Sequence, residues 1–269
     1  MSNKKRIDLL LLEKGIFTAR EQARGSIMAG DIFVDGKRVD KCGENVNIDS
    51  VIEFKGHPLP YVSRGGLKLE KAINKFQINL NNKVCFDIGA STGGFTDCML
   101  QNGASKVFSI DVGYGQFAWK LRVDPRVVCI ERKNVRYLTF EDIGEVADFA
   151  SIDVSFISIK KIILPVSNLL SIGGAVVALI KPQFEAGREK VGKKGVVRDP
   201  AVHIEVINTI VDFVEKNNFN IKALDYSPIK GPEGNLEYLL YFTKDGSEED
   251  KFDRKIIEDT VKDSHGSLS

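Results

Sequence analysis

Phe86-Asp87-Ile88-Gly89-Ala90-Ser91-Thr92-Gly93-Gly94-Phe95-Thr96-Asp97 is the stretch on which the reading of this 269-residue chain turns. An apolar run ends in an acid, a glycine-rich turn follows, and a helix pattern opens at about Phe95. In doubly wound α/β sheets, ligands bind at the carboxyl ends of strands, and glycines let the backbone come close to them. The next apolar run also ends in an acid, Asp111. It lies about 20 residues on, the spacing at which a carboxylate can accept hydrogen bonds from the ribose hydroxyls of an adenosine cofactor.

Four readings of the turn compete. A dinucleotide site wants Gly-x-Gly-x-x-Gly, and Ser91 stands at the second glycine position. Gly89-Ala90-Ser91-Thr92-Gly93 matches the Gly-x-Ser-x-Gly elbow of serine hydrolases. That elbow should follow several strands of its sheet, whereas here it follows the first. A glycine turn with no ligand is the plain structural alternative. A methyl-donor site fits best, because S-adenosylmethionine carries no pyrophosphate and does not need the dinucleotide spacing. On that reading Asp87 and Asp111 hold polar groups of the cofactor. Gly89, Ala90, Ser91, Gly93, Gly94, Phe95 and Val112 line it.

Outward from the turn, short apolar runs at 84–88, 106–111, 127–130, 149–153 and 175–180 alternate with mostly helix-length segments. Such alternation predicts a parallel sheet covered on both faces. Asp199-Pro200 opens a helix, with Asp as N-cap, Pro in the first turn, and Val202, Val206, Ile210 and Val214 at i+4 spacing. Runs at 221–226 and 236–243, joined by a short Gly- and Pro-containing connection, predict an antiparallel pair at the sheet edge. The expected fold is α/β: a Rossmann-like sheet of the S-adenosylmethionine-dependent methyltransferase kind with an antiparallel edge strand. A small α+β domain precedes it.

That first domain covers residues 1–55. Residues 6–14 predict a helix with Leu9, Leu10 and Leu12 on its apolar face. Thr18 can cap a second helix over 19–29, and Asp35-Gly36 marks a hairpin after Ile32-Phe33-Val34. Gly56-His57-Pro58-Leu59-Pro60 reads as a stiff linker, placed at 56–62, before a catalytic domain at 63–245. A charged tail occupies 246–269, where Phe252, Ile256, Ile257 and Val261 allow one weak amphipathic helix before a disordered end.

Charged residues make up 28% of the chain, yet its net charge is only +1, so any basic surface has to come from local arrangement. Four cysteines without a Cys-x-x-Cys pair read as small buried hydrophobes in a reducing cytoplasm. The three histidines lack metal-ligand spacing, so no metal is expected. No apolar run is long enough to span a bilayer, and no signal peptide is visible, so no membrane partner is expected.

Two further strand ends carry polar groups, Asp153 and Lys181. Lys181 follows five apolar residues and precedes Pro182, which puts it at the mouth of the sheet; a structural ion pair with Asp153 is the plain alternative. Methyl transfer to a hydroxyl needs the oxygen in line with the methyl carbon, and its proton must leave. A lysine can take that proton where burial or a neighbouring cation lowers its pKa, and such assistance is worth ~10²–10⁴ in rate. Lys68, before the first sheet strand, and Glu237, at the start of the last, are candidates for the second amine and the second carboxylate. Spacing alone does not show that the four meet.

Taken as a set, several motifs resemble the TlyA family, often labelled hemolysin A, among the FtsJ-type ribose methyltransferases. They are Ser63-Arg64-Gly65-Gly66-Leu67-Lys68, the 87–95 turn, Ser109-Ile110-Asp111-Val112-Gly113, Asp153-Val154-Ser155-Phe156-Ile157-Ser158, Lys181-Pro182-Gln183-Phe184-Glu185 and Gly195-Val196-Val197-Arg198-Asp199. The resemblance implies a Lys-Asp-Lys-Glu tetrad, which maps onto Lys68, Asp153, Lys181 and Glu237. It also implies 2′-O-methylation of cytidine in ribosomal RNA. Residues 6–8, 19–23 and 30–37 resemble the small RNA-binding domain of ribosomal small-subunit protein four. Candidate RNA contacts are Arg6, Arg20, Arg24, Lys37 and Arg38 there, Arg64 after the linker, and Arg188, Lys193 and Lys194 in a basic loop near the cofactor end. Two alternatives stay open: an RNA-binding protein with an inactive methyltransferase fold, and a membrane-lytic protein. No amphipathic segment is long enough to favour the second.

Overall fold

The computed structural model describes residues 3–17, 20–56, 59–244 and 252–268. Thr18, the expected cap, and His57 and Pro58 of the expected linker lie outside the described residues. Two compact units divide between Arg64 and Gly65.

The first unit runs β1 (Lys4–Arg6), α1 (Ile7–Glu13), α2 (Arg20–Ala29), β2 (Ile32–Val34), β3 (Lys37–Val39), β4 (Asn45–Asn47) and β5 (Ile52–Phe54). β2 pairs antiparallel with β3 and β5, and β1 with β4. Asp35 and Gly36 take φ of 49° and 75°, the positive values that a two-residue hairpin needs to match strand twist. The buried face of α1 differs from the expected one. Ile7, Leu10 and Leu11 are buried and Leu9 is exposed. Positions three and four apart share a helix face, so Ile7 selects Leu10 and Leu11 from the run of leucines. Asp8 is buried beside them and accepts hydrogen bonds from the guanidinium groups of Arg6 and Arg20 at 2.8–3.1 Å. The Arg6 bonds, joined by those of Arg20, hold its carboxyl at about 2 in spite of burial.

The second unit opens with α3 (Gly65–Lys75) and then alternates. In order come β6 (Val84–Ile88), α4 (Gly94–Gln101), β7 (Lys106–Ile110), α5 (Trp119–Arg122), β8 (Val127–Ile130), α6 (Phe140–Ile143), β9 (Ala147–Ile152) and α7 (Lys160–Ser167). Then follow β10 (Leu170–Ile180), α8 (Pro182–Glu185), α9 (Pro200–Lys216), β11 (Asn220–Tyr226), β12 (Tyr238–Thr243) and α10 (Lys255–Ser267). Among the described residues, seven strands form one sheet in the order β11-β12-β10-β9-β6-β7-β8. The five strands from β10 to β8 are parallel, and β12 runs against both its neighbours.

The antiparallel pair expected at the sheet edge is β12 with β11, and the reversed strand is its inner member. β12 inserts between β10 and β11, and β11 takes the edge. Burial explains the order: Tyr238, Leu239 and Leu240 are fully buried, whereas β11 presents Lys222 to solvent. α9 begins as expected, with the Asp199 side chain accepting from Ala201 N at 2.9 Å and Pro200 in the first turn. Its residues Val206, Ile210 and Val214 join the core of the sheet. Cys85 and Cys98 are buried, Cys42 and Cys129 half-buried, all as free thiols.

The expected disorder of the last residues gives way to α10, which packs on α9. Ile257 and Val261, four apart, are buried in the same core. The apolar stripe is short but continuous, and packing rather than intrinsic propensity stabilises such a helix. Ile257→Ala should lower the unfolding free energy by about 2–5 kcal/mol, the range for truncating a buried aliphatic side chain. Denaturant melts measure this, and an unchanged midpoint would show that α10 does not pack as described.

Candidate active site

Strand register brings four remote charged groups together. β9 and β10 are parallel neighbours with Ile152 beside Ala178, so Asp153 and Lys181 leave the sheet at adjacent carboxyl ends. β12 runs antiparallel to β10 and pairs Tyr238 with Ile180, so Glu237 falls across from Lys181 one step further on. Lys68 arrives from α3, which packs against α4 and β12. One turn along that helix, Lys71 Nζ donates to Asp225 Oδ1 at 3.0 Å and Tyr226 O at 2.7 Å, and sits 3.6 Å from the centre of the Tyr226 ring. This clip ties α3 to β11 and fixes where Lys68 projects.

Lys68 Nζ donates to Glu237 Oε2 at 2.6 Å and lies 3.6 Å from Asp153 Oδ2. Lys181 Nζ pairs with Asp153 Oδ1 and donates to Ser155 Oγ at 3.1 Å. Asp153 thus bridges the two amines. Lys68 and Lys181 are buried, and Glu237 is only 1% exposed. Burial opposes the charged form of Lys68, but the charges of Asp153 and Glu237 outweigh it and raise its pKa above the ordinary lysine value. Burial likewise opposes ionisation of Asp153, and the two lysines outweigh it, holding the carboxyl below its usual range. Two cations and two anions balance, as a buried charge cluster must.

The cofactor turn lies directly against this cluster. Asp153 N donates to Ile88 O at 2.9 Å, and a Cβ on Gly89 would stand 2.4 Å from Asp153 O. Gly89 also has φ of +85°, so both its backbone and its contact require glycine. Asp111, half-buried at the end of β7, accepts from Ser91 N at 2.8 Å and Gly113 N at 2.6 Å. It joins the two loops that flank the mouth of the sheet. Ser91 and Val112 are exposed there.

Other residues expected to line the turn serve it from beneath. Asp87 is 1% exposed, and its Oδ2 accepts from Thr96 N at 2.8 Å and Thr96 Oγ1 at 2.6 Å. It braces the start of α4 from within the sheet. Ala90, Gly94 and Phe95 are buried. Gly93 has φ of +94°, and a Cβ there would meet Leu121 Cδ1 at 2.4 Å, so its glycine answers to packing.

Residues 61–244 match the FtsJ-like methyltransferase family. The chain belongs to that family. Within it the chain falls in the TlyA group. A Bacillus subtilis protein provisionally named an rRNA methyltransferase, YqxC, is 48% identical over 99% of this chain and 96% of its own. TlyA of Mycobacterium tuberculosis strain H37Rv, named a 16S/23S rRNA (cytidine-2′-O)-methyltransferase, is 38% identical over 90% of each chain. A solved structure from Streptococcus thermophilus that carries a provisional hemolysin name superposes with a TM-score of 0.80 at 45% identity. It covers 99% of this chain and 98% of its own.

FtsJ-like enzymes take their methyl group from S-adenosylmethionine. The residues present fit that group. The Asp111 carboxylate keeps a free lone pair on each oxygen for a nucleoside hydroxyl, because each accepts only one backbone bond. Beside it, Ser91 and Val112 are open to solvent at the mouth of the sheet.

Several residues of this FtsJ-like site were not singled out by the sequence. Ser155 holds Lys181, and Phe156 follows it at 89% exposed with φ of +63°. Glu185 accepts from Ser158 Oγ at 2.6 Å and Ile159 N at 2.7 Å, anchoring the loop after β9. A Cβ on Gly231 would lie 2.1 Å from Glu237 Oε1, so Gly231 makes room for the carboxylate. All of these but Gly231 sit inside the motifs that carry the family resemblance; only the roles are new.

The candidate RNA contacts divide. Arg6 and Arg20 are committed to Asp8, and Arg38 lies across Gly30, where a Cβ would meet its guanidinium at 1.7 Å. Arg24 and Lys37 are exposed, as are Arg188, Lys193 and Lys194 after β10, while Arg64 is half-buried.

Burial raises the Asp87 carboxyl to about 7, against the Thr96 hydrogen bonds that lower it. The folded state therefore holds this proton more tightly than the unfolded chain, whose carboxyl titrates near ~3.9. Stability from this group is fully present below about pH 4 and is lost as pH rises to about 7. Asp87→Asn should remove that slope. Unfolding free energies of the two proteins across this window, if parallel, would refute the shift.

Proposed function

We propose that the chain methylates the 2′-hydroxyl of a cytidine in ribosomal RNA, in the cytoplasm, with the first unit helping to bind the RNA. The names of its relatives in Mycobacterium tuberculosis and Campylobacter jejuni support the substrate. The observation that carries the chemistry is the contact between Asp153 and the turn at Gly89. It sets an amine–carboxylate cluster against the cofactor loop. Among the described residues no helix is long and apolar enough to cross a membrane, so nothing in the helices favours the lytic reading.

Bound S-adenosylmethionine supplies an electrophilic methyl group. Once its own ammonium proton has passed to solvent, the neutral Lys181 Nζ would take the proton of the 2′-hydroxyl and leave the oxygen free to attack. Asp153 holds that amine in place, as its ion pair with Lys181 requires. Lys68, kept cationic by Asp153 and Glu237, balances their charge next to the reacting oxygen. Burial of three of the four groups limits water near the nucleophile. The hydroxyl is also what separates RNA from DNA as substrate.

Transfer of labelled methyl to ribosomal subunits tests the reading. Lys181→Ala should lower the rate by ~10²–10⁴, the usual contribution of a general base, while cofactor binding by calorimetry stays as in wild type. Equal rates for variant and wild type would refute the assignment. Asp111→Ala should act the other way, weakening cofactor binding first; an unchanged dissociation constant counts against its place at the ribose.

A further inference from the structure

The basic loop after β10 and the turn before Glu237 are joined by buried side chains that proton removal does not use. Asn235, 3% exposed, donates from Nδ2 to Gly195 O at 2.9 Å and accepts at Oδ1 from Val197 N at 3.3 Å. His203, fully buried on α9, holds the same loop from another side: its Nε2 is 3.0 Å from Val197 O and its Nδ1 is 2.6 Å from the Tyr238 hydroxyl. A carbonyl only accepts, so Nε2 carries the proton and Nδ1 accepts from the hydroxyl. Burial keeps this imidazole below its ordinary pKa, which favours the neutral form. The loop also closes on itself, Gly192 N donating to Val196 O at 3.0 Å and Gly195 N to Gly192 O at 2.8 Å.

This pinned loop frames a recess of about 360 Å³ lined by Lys190, Lys193, Lys194, Val196, Arg198 and Asp199. Lys190 is paired with Glu205 at 2.6 Å, and the Asp199 carboxylate caps α9. Lys193, Lys194 and Arg198 are exposed and have no acidic partner among the described residues. Three cations without an ion pair, against the single Asp199 carboxylate, leave the recess net positive on a fixed backbone, which suits a phosphodiester. The other end of the clamp reaches the tetrad. Gly231 N donates to Asn235 O at 2.9 Å, and the turn so formed packs on Glu237 Oε1.

We propose that the recess seats a backbone phosphate of the RNA substrate, and that Asn235 is a positioning residue that ties this seat to Glu237. The proposal rests on the RNA-methylating reading above. A phosphate held here sets the distance between the RNA strand and the cluster, because one residue grips both, the loop by its side chain and the carboxylate's turn by its backbone carbonyl.

The test uses the full chain and a fluorescein-labelled RNA oligonucleotide of mixed sequence, followed by anisotropy over a salt series without cofactor. Lys193→Ala/Lys194→Ala should reduce the slope of log affinity against log salt by about 1 for each phosphate that the chain no longer neutralises. An unchanged slope overturns the seat. Asn235→Ala should lower kcat on ribosomal subunits by on the order of 10²-fold, as a small misplacement of reacting groups does, with cofactor affinity and melting temperature unchanged. An unchanged kcat, or one that falls together with cofactor affinity and melting temperature, overturns the positioning role. A wild-type chain that binds the oligonucleotide but methylates no ribosomal RNA counts against the methylation reading, and the slope still decides the seat.

Discussion

Two ammonium groups and two carboxylates share one water-poor site, and the rest of the catalytic unit is arranged so that they can. Removing any one leaves a buried charge without its counterpart, at a cost of several kcal/mol. Neutral surroundings could not hold Lys68 and Asp153 charged; they hold each other. The register of β10 with β9 and β12 sets three of the groups. Lys71 fixes the helix that brings the fourth, and Gly231 yields the volume Glu237 needs.

The parts of the fold that local chemistry decides were legible in the sequence. Strand β6, the glycine turn and Asp111 declare themselves because an apolar run, a positive φ and an acid are short-range features. The capped start of α9 is legible for the same reason. Lys68 and Glu237 were less accessible, since they sit 169 positions apart and meet at 2.6 Å only through the sheet order. The resemblance pointed to them; spacing could not.

The misreadings have a common origin. Leu9 was assigned by residue type and its neighbours changed the assignment, while Asp87, Arg6 and Arg20 have partners elsewhere in the fold that residue type does not show. A leucine in a run of leucines is placed by the helical phase of its neighbours. An acid at a strand end reads as a ligand, and only the fold shows that Thr96 also bonds it. Exposed-looking arginines of the first unit converge on a buried aspartate that only the folded α1 and α2 reveal. The final helix was underrated because its apolar stripe is weak in isolation and is stabilised by α9.

The insertion of β12 between β10 and β11 has a bearing on biogenesis. Strand β10 is made before β12, so during synthesis the outer rim of β10 lacks its hydrogen-bonding mate. Open rims of this kind invite pairing with other chains. Over the same interval Lys68 has no Glu237 to answer it. A nascent polypeptide that stalls before the final hairpin is thus both adhesive and catalytically incomplete, and docking of that hairpin seals the sheet and supplies the last carboxylate in one event.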